Sequence, residues 1–224
     1  MSAADLLGQG WCTLDGVVET PGAYVFDPLG IRVPKGVKDS AARLRVSGLV
    51  TQTRPWWSPV GVRARHLPHG RGRAVAAVVL HYGRSLLPFA VVPLAVVGIS
   101  LGSNSPGTLA LGLLGLLIAV SLVAHEAGHA LALRWVSRGG PAIFVTRGAD
   151  AALVRPMLAP RHELVVVCAG PCAPLIAGSP LLLAWEMCWP LAVAWFGISA
   201  AHLIGLVVPL GDGATLRATV HAHD

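Results

Sequence analysis

Charge is scarce in this chain. Only 12% of its 224 residues are Asp, Glu, Lys or Arg, about half of what a soluble globular domain carries. Lysine is nearly missing: Lys35 and Lys38 stand against fifteen arginines. Aromatic residues make up 6% and cysteine occurs four times. Each shortage excludes something. So little charge, with 54% hydrophobic residues and a mean hydropathy of +0.65, excludes an ordinary soluble domain and points to a membrane protein. Cys168, Cys172 and Cys188 lie in or beside apolar segments, and Cys12 lies in a region expected in the cytosol, so no disulfide framework is expected. Met1 to Gly10 holds neither a basic residue nor an apolar run long enough for a cleavable signal peptide. The net charge of +6 does not point to nucleic acid as a partner. The basic residues sit in blocks that flank apolar runs, which is a topology signal, and the expected partner is the lipid bilayer. The preference for Arg, with abundant Ala, Gly and Val, fits a GC-rich bacterial genome and hence a bacterial cell membrane.

Four apolar stretches have membrane length: Ser85 to Gly102, Gly107 to Leu133, Glu163 to Trp185, and Leu191 to Leu210. The expectation is an α-helical polytopic membrane protein with about four transmembrane helices. Pro88 and Pro93 are expected to kink the first span. Residues 1–72 read differently. Breaks such as Glu19-Thr20-Pro21-Gly22 separate short β-prone runs, Trp11 to Val18, Ala23 to Phe26 and Leu44 to Thr51. This region is expected to be a small β-rich cytosolic domain or arm. Trp56 and Trp57, among Arg54, Arg63 and Arg65, suit a membrane surface or a small core. Residues 73–213 form the membrane-embedded core and 214–224 a cytosolic tail. Between the second and third spans, Ala142 to Thr146 and Ala151 to Arg155 flank Arg147-Gly148-Ala149-Asp150, a candidate β-hairpin. Eleven Arg and Lys precede the first span and five lie from Arg134 to Arg161, while the turns 103–106 and 186–190 hold none. The positive-inside rule then places both termini and the 134–162 loop in the cytosol.

Within the second span lies His125-Glu126-Ala127-Gly128-His129. Histidines four apart share one helix face and can bind one Zn²⁺, with Glu126 placed as general base. Ionisable residues inside a membrane-length helix are costly and functional by default. The plainer alternative is a packing cluster in which the three satisfy one another. Catalytic zinc takes three protein ligands. On the four-span topology, Asp212 ends the fourth span at the depth of the histidine pair, and the flanking Gly211 and Gly213 free the backbone to bring it there. Glu163, at the start of the third span, is a weaker candidate. His202 lies ten residues before Asp212, roughly 15 Å along a straight helix, and on that measure is half a bilayer too far out to be a ligand. Cys168 and Cys172 are read as small-residue packing.

His125-Glu-Ala-Gly-His129 in one span, Ala169-Gly170-Pro171 in the next and Pro209-Leu-Gly-Asp-Gly213 at the end of the last resemble the site-2 protease family of intramembrane zinc metalloproteases. The resemblance covers about residues 105–213. It implies zinc held by His125, His129 and Asp212, Glu126 as the catalytic glutamate, and a membrane-associated protein or peptide as substrate. The family's asparagines have no counterpart here: Pro174 follows Ala-Gly-Pro where one is usual, and His202, Gly205 or Leu206 occupies the neighbourhood of the other. His202 is therefore a candidate substrate-positioning residue. So are Phe144 and Val145, if the hairpin offers an edge strand to an extended substrate. Two other functions stay open on the residues alone: a catalytically silent membrane scaffold of the same fold, and a metal transporter lined by His and Glu.

Overall fold

The computed structural model describes residues 17–19, 23–26, 31–34, 62–137, 142–156, 158–208, 212–213 and 216–217. Four helices in it are long and apolar enough to cross a membrane: α1 (Arg71–Ser103), α2 (Pro106–Val136), α3 (Pro160–Leu183) and α4 (Trp185–Ile204). They turn outward a surface of large apolar side chains, such as Val91, Val92, Leu101, Leu111 and Ile176. That is the surface hydrocarbon solvates and water does not.

Three boundaries differ from expectation. The first helix begins at Arg71 rather than at Ser85: no proline stands between Arg71 and Pro88, and Gly72 and Gly83 do not interrupt it. At 33 residues it is roughly 50 Å long, well beyond the roughly 30 Å of a bilayer core. Its early residues Ala74, Ala77, Val78 and Tyr82 are buried, so this stretch packs against protein. Pro88 and Pro93 both lie inside it. The fourth helix begins at Trp185, with non-helical geometry at Cys188 just before Pro190. It stops at Ile204, where Gly205 caps it and donates its N–H to the Ala201 carbonyl at 3.1 Å. Residues 205–207 then form tight turns, with Leu206 bonded to Leu203 and Val207 to Ile204. A span running helically to Leu210 is therefore not what forms.

The strands make one antiparallel sheet: β1 (Val17–Glu19), β2 (Ala23–Phe26), β3 (Ile31–Pro34), β4 (Val62–His66), β5 (Ile143–Arg147) and β6 (Asp150–Pro156). The spatial order is β1-β2-β3-β6-β5-β4. The expected strand at Ala23 to Phe26 is β2, and the expected run from Trp11 overlaps β1 at Val17 and Val18. The expected strand at 44–51, Trp56 and Trp57 lie outside the described residues. The hairpin forms where its turn residues predict. Gly148 and Ala149 make a two-residue connection, with Gly148 at φ 59°, a conformation glycine adopts at no steric cost. Strands from the N-terminal region flank the hairpin on both sides.

That hairpin lies alongside α1. Tyr82 donates its hydroxyl to the Ala149 carbonyl at 2.5 Å, and Ser85 donates to the Gly148 carbonyl at 2.9 Å. Both turn carbonyls are thereby satisfied. Ser85 is roughly 21 Å along α1 from Arg71, and His125 roughly 16 Å along α2 from Val136, at 1.5 Å per residue. Because α1 and α2 are joined by only Asn104 and Ser105, they run antiparallel, and the hairpin turn reaches about the level of the histidine pair. The main core fills the space enclosed by these pieces: Val78, Tyr82, Leu86, Ala130, Leu133, Phe144, Leu153 and Val166.

Candidate metal centre

A helix repeats every 3.6 residues, so His125 and His129 stack on one face of α2. Their Nε2 atoms are 3.1 Å apart. The third group comes from beyond α4. Oδ2 of Asp212 lies 3.0 Å from His125 Nε2 and 3.3 Å from His129 Nε2. These three residues form a group that can hold a metal ion. Glu126 is half-buried and within electrostatic reach of all three.

A backbone carbonyl sets which nitrogen of His129 faces the other two groups. Nδ1 of His129 is 2.7 Å from the Val166 carbonyl. A carbonyl only accepts, so Nδ1 carries the proton and the lone pair sits on Nε2, toward the other two groups. Close approach of α3 makes this contact available. A Cβ at Gly128 would run into the Ala169 carbonyl and Ala173, and one at Gly170 into the His129 ring itself. This gives Ala169-Gly170-Pro171 a physical meaning, since only glycine leaves room at 170 for the imidazole. The loop carrying Asp212 is equally tight: a Cβ at Gly213 would meet the Val208 carbonyl.

Glu163, the weaker candidate for third ligand, is elsewhere. It is fully buried and pairs with Arg155 through two hydrogen bonds of 2.5 and 2.7 Å. It pins β6 to the first turn of α3. Cys168 and Cys172 are half-buried and outside the metal-binding group.

His202 corrects the depth estimate. Its ring centroid lies 4.8 Å from that of His125, where a straight helix to Leu210 would have put it roughly 15 Å away. The helix ends six residues sooner and the chain turns back, so His202 and Asp212 arrive at one level. Sequence reasoning also missed Ser121, whose Oγ is 3.2 Å from His202 Nε2, and the Val166 carbonyl. Serine spacing alone carried no signal for the first.

Phe144 and Val145 are not on a free edge. β5 is paired along its length with β4 on one side and β6 on the other, and Phe144 is buried against the rings of His81 and Tyr82. An extended substrate therefore cannot add to β5; among the described strands the edges are β1 and β4. The N-terminal segment takes the edge because it supplies β4. Compared with family models, curated proteins and solved structures, the chain matches none of them.

Proposed function

We propose that this chain is an intramembrane zinc metalloprotease, akin to the site-2 protease family, that hydrolyses a peptide bond of a membrane-associated protein or peptide near the cytosolic side. One observation carries the reading. Three ligand atoms from segments over eighty residues apart converge to within 3.0–3.3 Å of one another, beside a glutamate with no hydrogen-bond partner among the described residues. Tetrahedral ligands 2.0–2.1 Å from a zinc ion stand about 3.3 Å apart, so the spacing suits that ion. Two neutral imidazoles and one carboxylate are a common catalytic donor set for zinc, and the carboxylate offsets part of the ion's charge away from water.

When bound, zinc polarises a scissile carbonyl and acidifies a water. The protein's own groups do the rest. His129, whose Nδ1–H is held by Val166, and His125 turn their Nε2 atoms toward one point. Glu126 takes the water's proton and passes it to the departing amine. The basic flanks support a cytosolic-side position for this centre, by the positive-inside rule.

A transporter would need such groups staggered through several helices, whereas His125, His129, His202 and Asp212 lie at one level. A silent scaffold would have no use for Glu126. The test is Glu126→Gln, with cleavage of single-span model peptides in vesicles as readout. Metal content should be unchanged, and turnover should fall by about 10²–10⁴-fold, the contribution of a general base. Turnover at the wild-type rate would rule the mechanism out.

A further inference from the structure

Arg84 is exposed on α1, in line with Leu80, Leu87 and Val91, which are exposed as well. Positions 80, 84, 87 and 91 recur at helical spacing and form one stripe. Tyr82, Ser85 and Leu86 are turned into the protein instead. Among the described residues Arg84 has neither an ion pair nor a hydrogen-bond partner. A guanidinium carries a charge and five donors, and an apolar stripe facing hydrocarbon supplies no acceptor for them.

Depth decides what can answer it. Arg84 lies nineteen residues from Ser103, the last residue of α1, and His125 lies nineteen from Pro106, the first of α2. The two helices are antiparallel and joined by Asn104 and Ser105 alone. Arg84 and His125 therefore share one depth, roughly 28 Å from that turn at about 1.5 Å per residue. The third helix agrees. Val166, whose carbonyl meets His129, is seventeen residues from Leu183, or roughly 25 Å from the end of α3 on the same side. A hydrocarbon core is about 30 Å thick, so the stripe reaches the headgroups of the far leaflet at Arg84. Cα–Cβ bonds on a helix lean toward its N-terminus. Here that is away from the 104–105 turn, and the long side chain extends into those headgroups.

A second marker lies further on. Arg71 sits over the Trp135 ring, 5.4 Å from its centroid, and Trp135 is exposed. That pair suits an interface, but it is thirteen residues beyond Arg84, roughly 20 Å, and a headgroup layer spans only about 6 Å. A boundary there would leave Arg84 facing lipid deep in hydrocarbon, where charged side chains face the protein interior instead. We propose that Arg84 binds the phosphodiester of an anionic phospholipid on the outer face of α1, with both arms of its guanidinium. This contact sets the histidine pair at the edge of the hydrocarbon, where the headgroup layer supplies water. The guanidinium fork matches two phosphate oxygens, and a headgroup without an ammonium leaves the phosphate charge free for it. The inference needs no metal and stands apart from the metalloprotease reading.

The test uses the full chain in phosphatidylcholine vesicles that carry a minor share of spin-labelled phosphatidylglycerol. The same label on phosphatidylcholine is the reference. Electron spin resonance gives the fraction of each label immobilised at the protein. The wild-type chain should prefer phosphatidylglycerol. Arg84→Gln should lower that preference about fivefold, the effect of one arginine at an anionic leaflet. Arg84→Lys keeps the charge but not the fork, and should fall between the two. Arg73→Gln is the control. Arg73 is exposed on the same stripe, eleven residues or about three turns nearer to water, and its loss should stay below about twofold. An unchanged preference in Arg84→Gln would overturn the proposal. So would an equal loss in Arg73→Gln, which would mean a diffuse basic surface, and so would a wild-type chain with no preference. If the glutamine variant does not fold, the lysine variant decides: full wild-type preference there would overturn the two-armed contact.

Discussion

On α2, His125, Glu126 and His129 follow one another within little more than one turn of unbroken helix. At the other side of the centre, His202 and Asp212 are ten positions apart, one in the last turn of α4 and one beyond its end. The first half is rigid because backbone hydrogen bonds fix the rise and rotation between its residues. The second half is brought together by a helix that stops. Gly205 ends α4, the next residues turn tightly, and the chain returns at Asp212 to the level it had left. One half is a local motif and the other a product of chain reversal, so substitutions should separate them.

The largest effect is expected at Asp212. Asp212→Ala should leave the helix-borne half in place but reduce bound zinc far below one per chain, and cleavage should vanish with it. Metal analysis of the purified variant is the check. Full metal in this variant, with loss in His202→Ala, would reverse the two roles.

Gly170→Val probes the support of the first half. Its side chain would enter the space of the His129 ring, moving a ligand without touching one chemically. Zinc affinity should fall by about 10–100-fold, the usual cost of disturbing a group that orients a ligand, as read by competition with a chelator. An unchanged affinity would mean that α3 does not hold His129 in place.

The smallest effect on the centre is expected from Glu163→Ala. This change strands Arg155 as an unpaired buried cation and should cost about 3–5 kcal/mol of stability, measured by unfolding in mixed micelles. Metal content of the folded fraction should stay at the wild-type level. Loss of zinc from folded protein would bring Glu163 back as a ligand.

These contrasts follow what could be read in the chain. The histidine pair and Glu126 were legible because a helix imposes its own period on an apolar run. The hairpin was legible because Gly148 supplies the backbone angle its turn needs. His202 was misjudged because the end of α4 was taken from hydropathy, and hydropathy continues through Val207, Val208 and Leu210 after the helix has ended. The edge expected at Phe144 and Val145 failed for another reason. Which strand takes the flank of β5 depends on residues 62–66, far away in the chain.

By itself, the sequence determined four membrane-length apolar helices, the hairpin turn, and two imidazoles with a carboxylate on one helical face. All of these are set by interactions within a few residues: hydropathy, turn geometry and helical period. Only the tertiary structure decided that Asp212 closes the triad, that His202 stands next to His125, that Val166 fixes the tautomer of His129 and that Glu163 is spent on Arg155. Those pairings join atoms from separate elements. Their distances depend on where α4 ends and how closely α3 approaches α2, and no local rule fixes either.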